Sequence, residues 1–155
     1  LMIAGGAVAW VSRKQIIQGL SSQDVETYAA SVAAADLLHQ RGLLQEFGVP
    51  MQDPTTIWSD NSGTVSVAND AGSVSRSRHL AMRARFLQDF KAVGEGKICY
   101  IKTEDNAADA LTKPLERGRF SQHRSYMLGI SDVEEMRQKR ELDAARDDKQ
   151  MTAAE

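Results

Sequence analysis

The chain is 155 residues long, 42% hydrophobic and 26% charged, which suits one compact domain and leaves little room for two. A formal net charge of -2 and a pI near 6.0 exclude global attraction to polyanions, so any contact with nucleic acid has to come from local patches. No apolar run approaches the ~18 residues of a membrane span, and the N-terminus lacks the charged leader and apolar block of a signal peptide. The single Cys99 cannot form an internal disulfide and sits in an apolar run, as a structural thiol in a reducing compartment would. The expectation is an intracellular protein, cytoplasmic or nuclear. Because the chain opens on Leu1 inside an apolar segment, it reads as a fragment of something longer.

Residues 1 to 4 and 7 to 12 are short strand-like runs, with Gly5-Gly6 between them as a two-residue hairpin turn. Ser21 and Ser22 then offer capping hydroxyls, and Asp24 and Glu26 put negative charge in the first turns. Val25, Tyr28, Ala29, Val32 and Ala33 follow helical spacing, which predicts a helix to about Phe47, stopped by Gly48 and Pro50. Residues 55 to 59 form a β-branched and aromatic strand that delivers Asp60-Asn61-Ser62-Gly63, with Ser62 capping a short helix through Val67.

A polar loop is predicted over 69 to 77, then a helix marked by Leu80, Ala84, Leu87 and Phe90, with Phe86, ending near Gly94 and Gly96. Residues 97 to 102 form a second strand covered on both faces. Asn106 can cap a helix holding Ala108, Asp109 and Leu111; Pro114 interrupts it before an amphipathic stretch around Phe120, Tyr126 and Met127. Beyond it, Ser131 with Glu134 makes a capping-box pair and Glu135 with Lys139 a favourable pair one turn apart, but apolar residues are too few for a buried face. The expected organisation is one domain over 1 to 130 and a charged, helical or disordered tail over 131 to 155, with a coiled-coil partner helix as the other reading of the tail. Trp10, Trp58, Phe86 and Tyr100 fall on core positions and are expected to pack rather than to stack on bases.

Three acids occupy distinct settings: Glu26 early in an Ala-rich helix, Asp60 at a strand end and Asp109 opening a later helix. Each has an ordinary reading. Glu26 can be a surface charge at a helix start, Asp60 a turn acid, and Asp109 a complement to its helix dipole or a partner for Lys113 one turn away. Basic residues cluster at Arg76, Arg78, His79, Arg83 and Arg85, and again at Lys113, Arg117, Arg119, His123 and Arg124. Either group can contact phosphates or form a solvated face.

Several separate motifs in order carry a resemblance: AVAWVSRKQ from Ala7, LSSQDVETYAA from Leu20, TTIWSDNSGTVSVA from Thr55, SRSRHLAMRARFLQD from Ser75 and NAADALTKPL from Asn106. Over residues 5 to 130 the chain resembles the ribonuclease H region at the C-terminal end of copia-type retrotransposon Pol polyproteins. The resemblance implies an α/β fold, a ribonuclease H-like mixed sheet of five strands flanked by helices, and four carboxylates binding two Mg²⁺ ions, with Mn²⁺ as a substitute. Matched motif by motif, Glu26, Asp60 and Asp109 are the catalytic, metal-binding carboxylates. The first carboxylate of the family lies on its first central strand, upstream of where this chain begins, so that strand and its Asp are expected to be missing. Around the helix acid the family's Ser-Ser-Thr-Glu-Ala-Glu-Tyr is replaced by Ser21-Ser22-Gln23-Asp24-Val25-Glu26-Thr27. Glu26 keeps its register, with Asp24 a rival two residues earlier.

The function implied is endonucleolytic hydrolysis of the RNA strand of RNA/DNA hybrids by two-metal catalysis. Arg76, Arg78, His79, Arg83 and Lys113 are the nucleic-acid-binding candidates. The hybrid and the upstream reverse transcriptase region of the same polyprotein are the implied partners, with no membrane. The missing first Asp sets a second expectation beside this one: a catalytically inactive remnant, or a module that binds nucleic acid or a partner without cutting. An integrase or transposase of similar fold typically ends its acid order in Glu, which this chain does not show.

Overall fold

The computed structural model describes residues 1–12, 21–69 and 78–130 together with Leu142, and only the backbone of Arg78 and His79. In chain order the elements are β1 (Met2–Ile3), β2 (Gly6–Ala7), α1 (Ser22–Glu46), β3 (Thr55–Ser59), α2 (Ser62–Asn69), α3 (Arg78–Ala92), β4 (Gly96–Tyr100) and α4 (Arg117–Met127), with 3₁₀ helices at Thr103–Asp105 and Ala107–Leu111. The architecture is mixed α/β. It divides into two units, Ile16–Tyr100 and Leu1–Gln15 with Ile101–Glu155. The predicted loop over 70 to 77 and the capping pairs of the 131 to 155 tail lie outside the described residues.

In the unit Ile16–Tyr100, α1 begins where Ser21 accepts a hydrogen bond from the Asp24 N–H at 3.2 Å. It ends as the sequence predicts. Gly48 takes a φ of +80°, and the Gly48 and Val49 N–H groups bond back to the Gln45 and Leu44 carbonyls, a Schellman closure. The buried stripe of α1 mixes apolar Ala30, Ala34 and Leu37 with polar Thr27, Ser31 and Arg41. Its alanines and Leu37 join Ala68, Leu87, Phe90 and Ile98 in the core, with Leu38, Ile57, Val65 and Phe86 packed against it.

Strands β3 and β4 pair in parallel with Thr55 opposite Gly96 and Ser59 opposite Tyr100. Adjacent Ile98 and Cys99 are both buried, so the strand is covered on both faces there, while Lys97 is exposed. Two side-chain amides tie α2 into this layer: Asn69 donates to the Ile98 carbonyl and Gln88 to the Val67 carbonyl. At the other end of the strands, the buried Arg41 guanidinium spans the Glu95 carboxylate, the Met51 and Asp53 carbonyls and the Thr55 hydroxyl.

In the other unit β1 and β2 form an antiparallel hairpin, Met2 opposite Ala7 and Ile3 opposite Gly6. Its turn is Ala4-Gly5, both with positive φ, one residue earlier than the predicted Gly5-Gly6. The glycine thereby takes the second central position, as in Asn-Gly turns, and Gly6 is left in the ladder. Beyond the strands the Val8 N–H still bonds to the Leu1 carbonyl. Then the chain leaves the ladder, and Trp10 is 66% exposed, contrary to the expectation that it packs in a core. Asn106 caps its 3₁₀ helix as predicted, accepting from the Ala108 N–H at 3.2 Å. Helix α4 closes on Gly129, whose N–H and that of Ile130 bond to the Tyr126 and Ser125 carbonyls.

The single five-stranded mixed sheet implied by the resemblance is not formed among the described residues. The strands there make two separate two-stranded sheets, because β1 and β2 pair only with each other and β3 and β4 likewise.

Candidate functional site

Parallel strands collect their ligands at the carboxyl end, and β3 delivers Asp60 there. The turn after Ser59 is built by short polar side chains. Ser59 Oγ accepts from the Asn61 N–H at 3.3 Å, and Asn61 Oδ1 accepts from the Thr64 N–H at 3.0 Å. Asn61 is therefore the cap of α2, in place of the predicted Ser62, and the helix runs to Asn69 rather than Val67. The reason is where the strand stops: with pairing over at Ser59, Asn61 is the residue left in non-helical conformation directly before the first turn. Between these two bonds the half-buried Asp60 carboxylate has no hydrogen bond or ion pair among the described residues.

Glu26 is half-buried in the first turns of α1. Residues on either side of it reach α2. Gln23 Nε2 donates to the Gly63 carbonyl at 3.2 Å, and the Thr27 and Thr64 hydroxyls meet at 3.3 Å in a fully buried pair. A Cβ at Gly63 would stand 2.8 Å from the Gln23 side chain and 3.1 Å from Asn61 Oδ1, so bare backbone is what admits this approach. The turn carrying Glu26 and the loop carrying Asp60 are thus joined through their neighbours.

Asp109 belongs to the other unit. It is buried in the 3₁₀ helix Ala107–Leu111, and Lys113 Nζ lies 3.0 Å from each of its carboxylate oxygens. Both ordinary settings weighed for this acid are present: it lies in the first turn of its helix and pairs with Lys113. Among the described residues no three His, Cys, Asp or Glu side chains group closely enough to hold a metal ion. Glu26 and Asp60 are nonetheless hard oxygen donors, and Mg²⁺ is commonly held by one or two carboxylates with phosphate oxygens completing its shell, so this pair fits that ion in kind.

The basic candidates divide. Arg76 and the side chains of Arg78 and His79 lie outside the described residues. The Arg83 guanidinium stands 4.8 Å from the Tyr28 ring centroid, with one nitrogen 3.4 Å from Ser31 Oγ, and so braces α3 against α1. Arg85 pairs with Asp89 one turn on. In the second cluster His123 is buried, which removes it from any solvated basic face, while Arg117, Arg119 and Arg124 are exposed. Sequence reasoning missed Gln23, Thr27, Asn61 and Thr64. The one available signal was Thr27 itself, which replaces the Tyr of the motif that the chain resembles.

No family model matches the chain, and no solved structure matches it. Curated proteins do. It is 30% identical over 126 residues to the "Retrovirus-related Pol polyprotein from transposon RE2" of Arabidopsis thaliana, covering 81% of this chain and 9% of that protein. It is 26% identical over 117 residues to the corresponding polyprotein of transposon TNT 1-94 of Nicotiana tabacum, covering 76% and 9%. The Ty1-DR5 Gag-Pol polyprotein of Saccharomyces cerevisiae matches at 27% identity over 117 residues, 74% of this chain and 6% of that protein. The chain thus spans less than a tenth of the length of these relatives, and its homologues are retrotransposon Pol polyproteins.

Proposed function

We propose that the chain is a ribonuclease H-type endonuclease region of a retroelement Pol polyprotein, acting on the RNA strand of an RNA/DNA hybrid. The observation that carries this reading is the half-buried Asp60 carboxylate at the carboxyl end of β3, which has no hydrogen bond or ion pair among the described residues and is linked through hydrogen-bonded neighbours to the turn that bears Glu26. Glu26 is in the first turns of α1 and Asp60 directly follows β3, so each is held next to a rigid element, as in-line attack on a phosphodiester requires of its metal ligands. Glu26 and Asp60, both in the unit Ile16–Tyr100, would hold Mg²⁺. When bound, the ion supplies activation of a water and neutralisation of the leaving oxygen. Exposed Arg117 and Arg119 offer contacts to phosphates, and the reverse transcriptase region of the same polyprotein is the natural neighbour in the longer chain.

The test is Mg²⁺-dependent hydrolysis of a labelled RNA/DNA hybrid by the purified chain, beside Asp60→Asn. Cleavage that disappears in the variant supports the reading; an equal rate in the two proteins sinks it.

A second reading, favoured by the Lys113 ammonium seated on Asp109, is a module that binds nucleic acid without cutting it. It predicts hybrid binding in the presence of a chelator, with no cleavage when Mg²⁺ is restored.

A further inference from the structure

We propose that Gln23, Thr27 and Thr64 are positioning residues that fix Glu26 relative to Asp60 for a divalent cation. The inference rests on the reading of these two acids as ligands. A hydrogen-bond chain runs from the Glu26 turn to the end of β3: Thr27 hydroxyl to Thr64 hydroxyl, Thr64 N–H to Asn61 Oδ1, Asn61 N–H to Ser59 Oγ. Asp60 lies inside the loop that this chain closes. Gln23, one turn before Thr27 on α1, adds a second tie to the same turn of α2 through the Gly63 carbonyl.

Both threonines are 0% exposed, and a buried hydroxyl is costly unless bonded. A valine of the same shape would fill the space equally well, so space filling alone does not call for the hydroxyls. What they add is direction: two hydroxyls in contact allow one register of α1 on α2, where apolar surfaces allow sliding. The close approach at Gly63 serves the same end, since a Cβ there would meet the end of the Gln23 side chain and disturb its bond to the Gly63 carbonyl.

The experiment titrates the full chain with Mn²⁺, reading the free ion by electron paramagnetic resonance, in the wild type and in Asp60→Asn, Thr27→Val, Thr27→Ser and Gln23→Ala. Expected are binding by the wild type, its loss in Asp60→Asn, and a loss of about tenfold in affinity in Thr27→Val, the scale seen when a ligand's supporting partner is removed. Thr27→Ser should restore binding. Gln23→Ala, a milder change at a half-buried site, should weaken binding with the helix content intact. Wild-type affinity in both Thr27→Val and Gln23→Ala overturns the clamp and leaves the ligand reading standing. A wild type that binds no better than Asp60→Asn defeats the ligand reading and the inference with it. Amide exchange without metal gives an independent check: Thr27→Val should speed exchange at residues 61 to 64, and unchanged exchange there overturns the clamp.

Discussion

Lys113 Nζ is equidistant, at 3.0 Å, from the two oxygens of Asp109, so one ammonium on the next turn neutralises a carboxylate whose side chain is only 8% exposed. Lys113→Met removes that counter-charge. Because the lysine is itself half exposed, the cost falls near the screened end of the range, about 1 kcal/mol. Adding Asp109→Asn should recover most of it, and a thermal double-mutant cycle measures the coupling. A purely additive pair of changes would mean that the contact contributes nothing.

Arg41 should be the more sensitive ion-pair residue. Its guanidinium is 6% exposed and satisfies two carbonyls, a hydroxyl and the Glu95 carboxylate, all at the amino ends of β3 and β4. Arg41→Met takes their shared donor from four acceptors that are partly open to solvent and is expected to cost about 1.5 kcal/mol in urea unfolding. Glu95→Gln should cost about 1 kcal/mol or less, since that side chain is more open to solvent.

The cap of α2 offers a sharper comparison. Asn61→Ala should destabilise by about 1 kcal/mol, while Ser62→Ala, one residue into the helix and exposed, should be nearly neutral. Equal effects in chemical denaturation would return the cap to Ser62.

At Gly96 a Cβ would collide with the Phe90 ring and stand 2.8 Å from the Thr55 carbonyl oxygen. Gly96→Ala should therefore cost about 2 kcal/mol by overpacking. Combining it with Phe90→Leu should cost less than the two singly, because the ring is the softer of the two obstacles. The thermal midpoints of the three variants decide it.

What the sequence made legible is what its own neighbours decide. Ser21 and the Gly48 to Pro50 segment bracket α1, and the β-branched run at Thr55 marks β3, because caps and strand propensity act over a few residues. The hairpin turn came out one residue off because Gly5-Gly6 and Ala4-Gly5 are both locally acceptable and only the ladder chooses. Of the candidate site, the placement of Asp60 after β3 and of Glu26 in the first turns of α1 could be read directly. The Thr27 to Thr64 contact and the burial of Arg41 could not, since each polar residue is explained by a partner distant in the chain.

The parallel pairing of β3 with β4 also orders events on the way to the native state. Thr55 meets Gly96 only after α2 and α3 have been folded back between them, so the ladder stabilises the chain late, once a long loop has closed. Helix α1, held by local bonds, can form first. A nascent chain that has passed Ser59 but not yet reached Gly96 carries the Thr-Thr-Ile-Trp-Ser strand without its partner, a template for pairing with other chains. Through the interval of synthesis between those two residues, β3 is therefore without the strand it pairs with in the native state.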